Sequence, residues 1–131
     1  MKDIKTILKN MKVNVSDKEY TIVSLSPGTK FKGNAFVIIN GEDGTTVIIE
    51  KDEWKRMSDG FSDFEEESGF RIVLLDIALE WDVVGFLAAI AKPLADAGIS
   101  IGAFCAYSKD YLLVKSKDID KAIKVFETLK K

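Results

Sequence analysis

Phe70-Arg-Ile-Val-Leu-Leu-Asp-Ile-Ala78, followed by Glu80-Trp-Asp-Val-Val-Gly85, is the stretch whose reading decides the fold. The first run reads as a strand with apolar residues on both pleat faces: Phe70, Ile72 and Leu74 on one, Val73, Leu75 and Ile77 on the other. A strand of that kind is covered on both sides. It belongs in the middle of a sheet, with helices on one face and a second domain or a partner subunit on the other. Beyond it the period changes: Val83–Ala97 reads as a helix that is apolar nearly all round, with Asp82 placed as its N-cap. Pro93 lacks an N–H and is expected to bend that helix, and Ala97-Gly98 supplies a left-handed stop.

Working outward, Ile99–Tyr107 reads as a second strand, Ser108–Asp110 as a tight turn and Tyr111–Lys115 as a third strand. A last helix carries Ile119, Ala122, Ile123, Phe126 and Leu129 on one side and Lys121, Lys124 and Lys130 on the other, so it lies on a sheet. Toward the N-terminus, residues 1–10 suit a short helix with Ile4, Ile7 and Leu8 on one side, and Met11, Val13 and Val15 then alternate with polar residues. Tyr20–Leu25, Ala35–Asn40 and Thr45–Glu50 read as strands, the last two joined by the Gly41–Gly44 loop, and Lys51–Met57 as a short helix. Ser58–Ser68, with Asp59, Asp63, Glu65, Glu66 and Glu67, reads as a solvated connector, and the division between an N-terminal unit (1–63) and a C-terminal unit (64–131) belongs there.

Composition removes several function classes. At 131 residues the chain fits one or two small domains with a real core. A net charge of −2 with scattered Lys and Arg gives no footprint for nucleic acid. No histidine occurs, which excludes Ser–His and Cys–His catalysis and the commonest metal ligand. The single cysteine, Cys105, forms no internal disulfide and no metal pair, and reads as a small buried hydrophobe. Met1–Met11 has no apolar run of the signal-peptide kind, and Val83–Ala97 is shorter than the ~20 residues a membrane span needs. A cytoplasmic protein without membrane, metal or cofactor is therefore expected.

Two motifs fail. Gly28 and Gly33 have the phosphate-loop spacing, but Asn34 and Ala35 stand where Lys and Ser or Thr are needed. Glu80 and Asp82 are paired carboxylates without a nucleophile or positioned partner, so catalysis is not expected. An anion site fits better. The amides of Val83, Val84 and Gly85 would open a helix, where carboxylate and phosphate are attracted, and Asp82, Glu80 or Asp110 could hold an ammonium group. Carboxylate and ammonium together describe an amino acid. The alternative, in which Asp82 satisfies those amides and nothing binds, stays open.

Asp82-Val-Val-Gly85, Ile90-Ala-Lys-Pro-Leu-Ala-Asp-Ala-Gly-Ile-Ser100 and Tyr107-Ser-Lys-Asp-Tyr-Leu-Leu-Val-Lys115 together resemble the ACT-like domains. The chain is similar to small proteins of two tandem ACT-like units related to the regulatory region of aspartate kinase. The resemblance is strong over Phe70–Leu129 and weaker through Tyr20–Pro27 and Glu42–Ile49. It implies an α+β fold of two ferredoxin-like βαββαβ units, with antiparallel sheets and helices on one face. It also implies a non-catalytic regulatory module binding an amino acid or similar small ligand, the ligand lying between the loop before the first helix and an adjacent unit. By motif position the ligand-binding residues are Asp82, Val83, Val84 and Gly85, with Ser100, Ile101 and Ala103 on the facing strand; Asp110 joins them only as an acid that could hold the ammonium group.

Ser100 stands where amino-acid-binding members of the wider family often carry Asn. The first half lacks a helix between Leu25 and Ala35, and the chain ends on a helix with no final strand, a slot that an N-terminal strand could fill. A homodimer is expected, because the two-sided strand and apolar helix need more cover than one small unit provides, together with a partner enzyme that reads the signal. The alternative function is an interaction module of the same fold that has lost its ligand site.

Overall fold

A computed structural model describes residues 3–131. In chain order the elements are α1 (Ile4–Asn10), β1 (Lys12–Val15), β2 (Tyr20–Leu25), β3 (Val37–Gly41), β4 (Gly44–Glu50), α2 (Lys51–Met57), β5 (Phe64–Asp76), α3 (Phe86–Asp96), β6 (Ile101–Cys105), β7 (Asp110–Lys115) and α4 (Ile119–Leu129). The fold is α+β and ferredoxin-like, as expected. By packing, the chain forms two compact units: Asp17–Phe70, and the segment ending at Ser16 together with Arg71–Lys131. This grouping differs from the sequence division at residue 63, because the 13-residue β5 contributes its first half to one unit and its second half to the other.

In the unit holding the later half, the strands lie in the order β1–β5–β7–β6. β1 runs antiparallel to β5, with Val13 opposite Leu75, and β6 antiparallel to β7, with Ala103 opposite Leu112. The N-terminal strand β1 therefore stands at the sheet edge beside β5. One cluster forms the core: Val73, Leu75, Leu112 and Val114 from the sheet meet Phe86, Ile90 and Leu94 of α3 and Ile119, Ala122 and Phe126 of α4. Spacings of four in α3 and of three and four in α4 put each trio on one helical face. Ile7, Leu8 and Met11 join the same core, and Met11 is wholly buried.

Helix α3 is shorter than Val83–Ala97. It continues through Pro93 and closes with Gly98 at φ +76°, where Gly98 N donates to Ala95 O and Ile99 N to Leu94 O, each at 2.9 Å. This is the six-to-one closure that a left-handed glycine permits.

In the other unit the order is β3–β4–β2–β5. Val23, Leu25, Val47, Ile49 and Trp54 form its core. Residues 26–36, where a first helix would stand, have no helix or strand; Phe31 and Ala35 pack on the core instead, and the Phe31 ring stacks on Phe61 at 6.3 Å.

The acidic tract keeps its carboxylates exposed, as its charge requires, but its later part is a strand and not the connector expected. Phe64–Ser68 begins β5 and pairs with β2, Ser24 opposite Glu65 and Ile22 opposite Glu67. Pairing satisfies the backbone while Glu65, Glu66 and Glu67 all stay exposed, and Glu66 accepts from Trp54 Nε1 at 2.5 Å. A bulge follows, with Ser68 and Gly69 opposing Thr21, whose hydroxyl lies 2.7 Å from that of Ser68.

Candidate functional site

The loop between β5 and α3 begins at Ile77 and is pinned at two points. Leu79 N donates to Ser108 O at 2.8 Å, tying the loop to the β6–β7 turn, and Val83 N donates to Glu80 O at 3.1 Å, closing a turn over Trp81 and Asp82. Gly85 is the helix N-cap, at φ +92° and ψ 2°, with no side chain capping the helix. The expected cap at Asp82 is corrected: Asp82 sits three residues upstream in the turn. A left-handed residue cannot continue a right-handed helix, so α3 can begin only after Gly85. The amides that precede the first intrahelical bond, Ala89 N to Gly85 O, are those of Phe86, Leu87 and Ala88. Val83 N, counted as free from sequence, is spent on Glu80.

Facing this loop is the β6–β7 hairpin. Cys105 pairs with Asp110, and Ala106 N donates to Lys109 O at 2.9 Å, leaving Tyr107 and Ser108 at the tip. Loop and hairpin enclose a cavity of about 240 Å³. Leu79, Val83, Phe86 and Leu87 make its apolar wall, Cys105 and Ala106 line the hairpin side, and Trp81 and Tyr107 stand at its rim, 74% and 86% exposed. Cys105 is exposed at this wall rather than buried as a core residue, because β6 lies at the edge of its sheet.

Three charged side chains line the cavity: Glu80, Lys109 and Asp110. Lys109 Nζ is committed to Asp76 Oδ1 at 2.7 Å, and Asn14 Nδ2 donates to the other oxygen of Asp76 at 3.4 Å. The Lys109 hydrogen bond holds the Asp76 carboxyl below the usual carboxylate range and raises the Lys109 ammonium in turn. Asp110 differs. It is half-buried, no hydrogen bond or ion pair engages its carboxylate among the described residues, and desolvation pushes its carboxyl up.

Of the residues singled out from sequence, the cavity brings together Glu80, Val83, Gly85 and Asp110. Asp82 and Val84 lie on the same loop outside the lining, Val84 being 85% exposed. Ser100, Ile101 and Ala103 are not at this cavity. Ser100 precedes β6 at its far end, about 17 Å of extended chain from Cys105 at ~3.3 Å per residue. Trp81 belongs to the loop singled out from sequence, without a contact of its own, and Phe86, Cys105 and Tyr107 were missed. The signal that could have found them is the turn at Ser108–Asp110: β7 neighbours β5, so a turn ahead of β7 meets the loop after β5.

Among the described residues, no cluster of acidic or thiol side chains is arranged to hold a metal ion, and no helix is long and apolar enough to cross a membrane. Residues 65–128 match the family model of the ACT domain. No curated protein sequence matches the chain. Among solved structures, the chain resembles a Vibrio cholerae protein described as of unknown function and a possible transport protein, with a TM-score of 0.77 at 18% identity over 98% of this chain and 96% of that one. It resembles a structure of aspartokinase alpha and beta subunits at a TM-score of 0.70, 17% identity, 89% of this chain and 95% of that one. It also resembles the ligand-free regulatory subunit of aspartate kinase from Thermus thermophilus at 0.65, 8% identity, 91% of this chain and 97% of that one. At these identities the likeness is one of fold.

Proposed function

We propose that the chain is a non-catalytic regulatory module of the ACT type that binds an amino acid or similar small ligand in the cavity between the β5–α3 loop and the β6–β7 hairpin. The carrying observation is that cavity's position. It lies within the segment that matches the ACT domain model and is framed by the loop before α3, where a carboxylate would meet the amides of Phe86–Ala88 and an ammonium would meet Asp110.

The tandem reading, one ACT-like unit in each half, is supported by strand order. Each unit has two central strands, β2 with β4 and β5 with β7, flanked by β3 and β6 on one side and by β5 and β1 on the other. The unit that lacks its first helix is the degenerate one. The resemblance to structures of aspartokinase subunits supports association with a copy of itself or with an enzyme whose activity it adjusts, in the cytoplasm.

A thermal-shift screen of the twenty amino acids tests this function, since a ligand of the folded state stabilises it by mass action. A rise in Tm with one or a few supports it, and a flat screen overturns it. The second reading, an interaction module without a ligand, is favoured by the exposed apolar residues Trp81, Val84, Leu87 and Tyr107 about the cavity. A flat screen together with self-association weakened by Trp81→Ser and Tyr107→Ser would select it.

A further inference from the structure

Asp110 is the anomaly of this unit. A half-buried carboxylate with no hydrogen-bond or ion-pair partner among the described residues is held in a wall made chiefly of apolar side chains. Removing a carboxylate from water without a compensating partner is unfavourable. Lys109, its chain neighbour and the one cation at the cavity among the described residues, is turned to Asp76 at 2.7 Å. The cavity thus presents negative charge from Asp110 and Glu80 and, among the described residues, no uncommitted cation. Aromatic rings at Trp81 and Tyr107 stand at its mouth, where ring faces attract ammonium groups.

Resting on the ligand-binding reading above, we infer that the cavity recognises the ammonium end of its ligand through Asp110 and takes an uncharged apolar body against Leu79, Val83, Phe86 and Leu87. The ligand class is a compact apolar amine, including amino acids with branched aliphatic side chains, and it excludes dicarboxylic amino acids. Size agrees. About 240 Å³ is the liquid volume of roughly eight waters at ~30 Å³ each, enough for a ligand of roughly that many non-hydrogen atoms. Charge agrees as well, because a second carboxylate would meet Glu80 and Asp110 with Lys109 already paired. The α-carboxylate of an amino acid adds the helix-start amides, an exposed interaction of the smaller kind.

The test compares leucine, 3-methylbutylamine, 4-methylpentanoate and aspartate by calorimetry on the full chain and on Asp110→Asn. Leucine and 3-methylbutylamine are expected to bind, 4-methylpentanoate and aspartate not to, and Asp110→Asn to weaken both binders at least tenfold. Without ligand, Asp110→Asn is expected to melt higher than the parent, since it removes an unpaired, desolvated charge. Binding of 4-methylpentanoate as tightly as leucine, failure of the amine where leucine binds, or unchanged affinity in Asp110→Asn overturns the inference and leaves the ligand-binding reading standing. If neither these compounds nor any amino acid binds, both fall together.

Discussion

Met11→Ala probes whether the N-terminal segment is an integral part of the later half's core. Met11 is wholly buried in the cluster that holds Val73, Leu75, Ile90, Leu112 and Phe126. Truncation removes three chain atoms beyond Cβ, which at ~0.8 kcal/mol per methylene-sized group is about 2.4 kcal/mol of lost transfer free energy. A cavity term is added where the neighbours cannot collapse, and here β1 and α1 hold them in place, so about 3–4 kcal/mol is expected, within the 2–5 of comparable truncations. With a urea m-value of about 1.5 kcal/mol/M, the midpoint falls by about 2 M with m unchanged. Met11→Leu, which conserves volume, should cost less than about 1.5 kcal/mol. Hydrogen exchange locates the effect: the amides of Leu112–Val114 should lose protection. A loss below about 1 kcal/mol, or protection lost only at Val47–Ile49 of β4, would refute the assignment of this segment to the later half's core.

The other predictions concern the loop, the charges and the second core. Gly85→Ala forces a left-handed conformation at φ +92° on a residue with Cβ, costing about 1–2 kcal/mol although no atom lies within 4 Å of the new carbon; a Tm equal to the parent's would contradict the strain. Because burial raises the Asp110 carboxyl above its unfolded value, the folded state binds the proton more tightly. Stability is therefore expected to fall as pH rises from the ordinary aspartate range through the raised folded value, and Asp110→Asn should abolish that component in urea titrations at several pH values. The groups beside it at the cavity are Glu80, Lys109, Cys105 and Tyr107, of which Lys109 stays charged through this window. Asp76 has the opposite sign: its depressed carboxyl contributes stability present above the unfolded value and lost as pH falls through the folded one. In Lys109→Ala its NMR-monitored titration should move up toward the usual range. Trp54→Phe removes the indole donor 2.5 Å from Glu66, a charge-assisted bond of about 1.5–3 kcal/mol, and a urea midpoint unchanged from the parent's would count against it.

Local patterns survived folding where one segment contains all the information. The α4 stripe Ile119, Ala122, Phe126 is buried as its periodicity requires, Gly98 ends α3, and the hairpin ahead of β7 turns within a residue or two of its expected place. The start of α3 was misplaced for a local reason as well. Asp82 has the right chemistry for a cap, but Gly85 adopts a conformation that no L side chain favours, and composition alone does not reveal which glycine will do so. The acidic run Glu65–Glu67 is exposed as its charge requires, but it forms the start of β5 rather than a connector, because pairing with β2 satisfies the backbone while the side chains stay in water.

By itself, then, the sequence determined the α+β class, the two-sided β5, the amphipathic α4, the want of a helix between Leu25 and Ala35, and the absence of any histidine. These follow from residue type and period, which act over a few residues. Only the tertiary structure decided that β1 and Met11 belong with the later half, that Leu79 and Ser108 meet, that Lys109 turns to Asp76, and that Asp110 is left facing an apolar cavity. Those are pairings between segments about 30 to 60 residues apart, set by strand order and competition for partners, which no local pattern encodes.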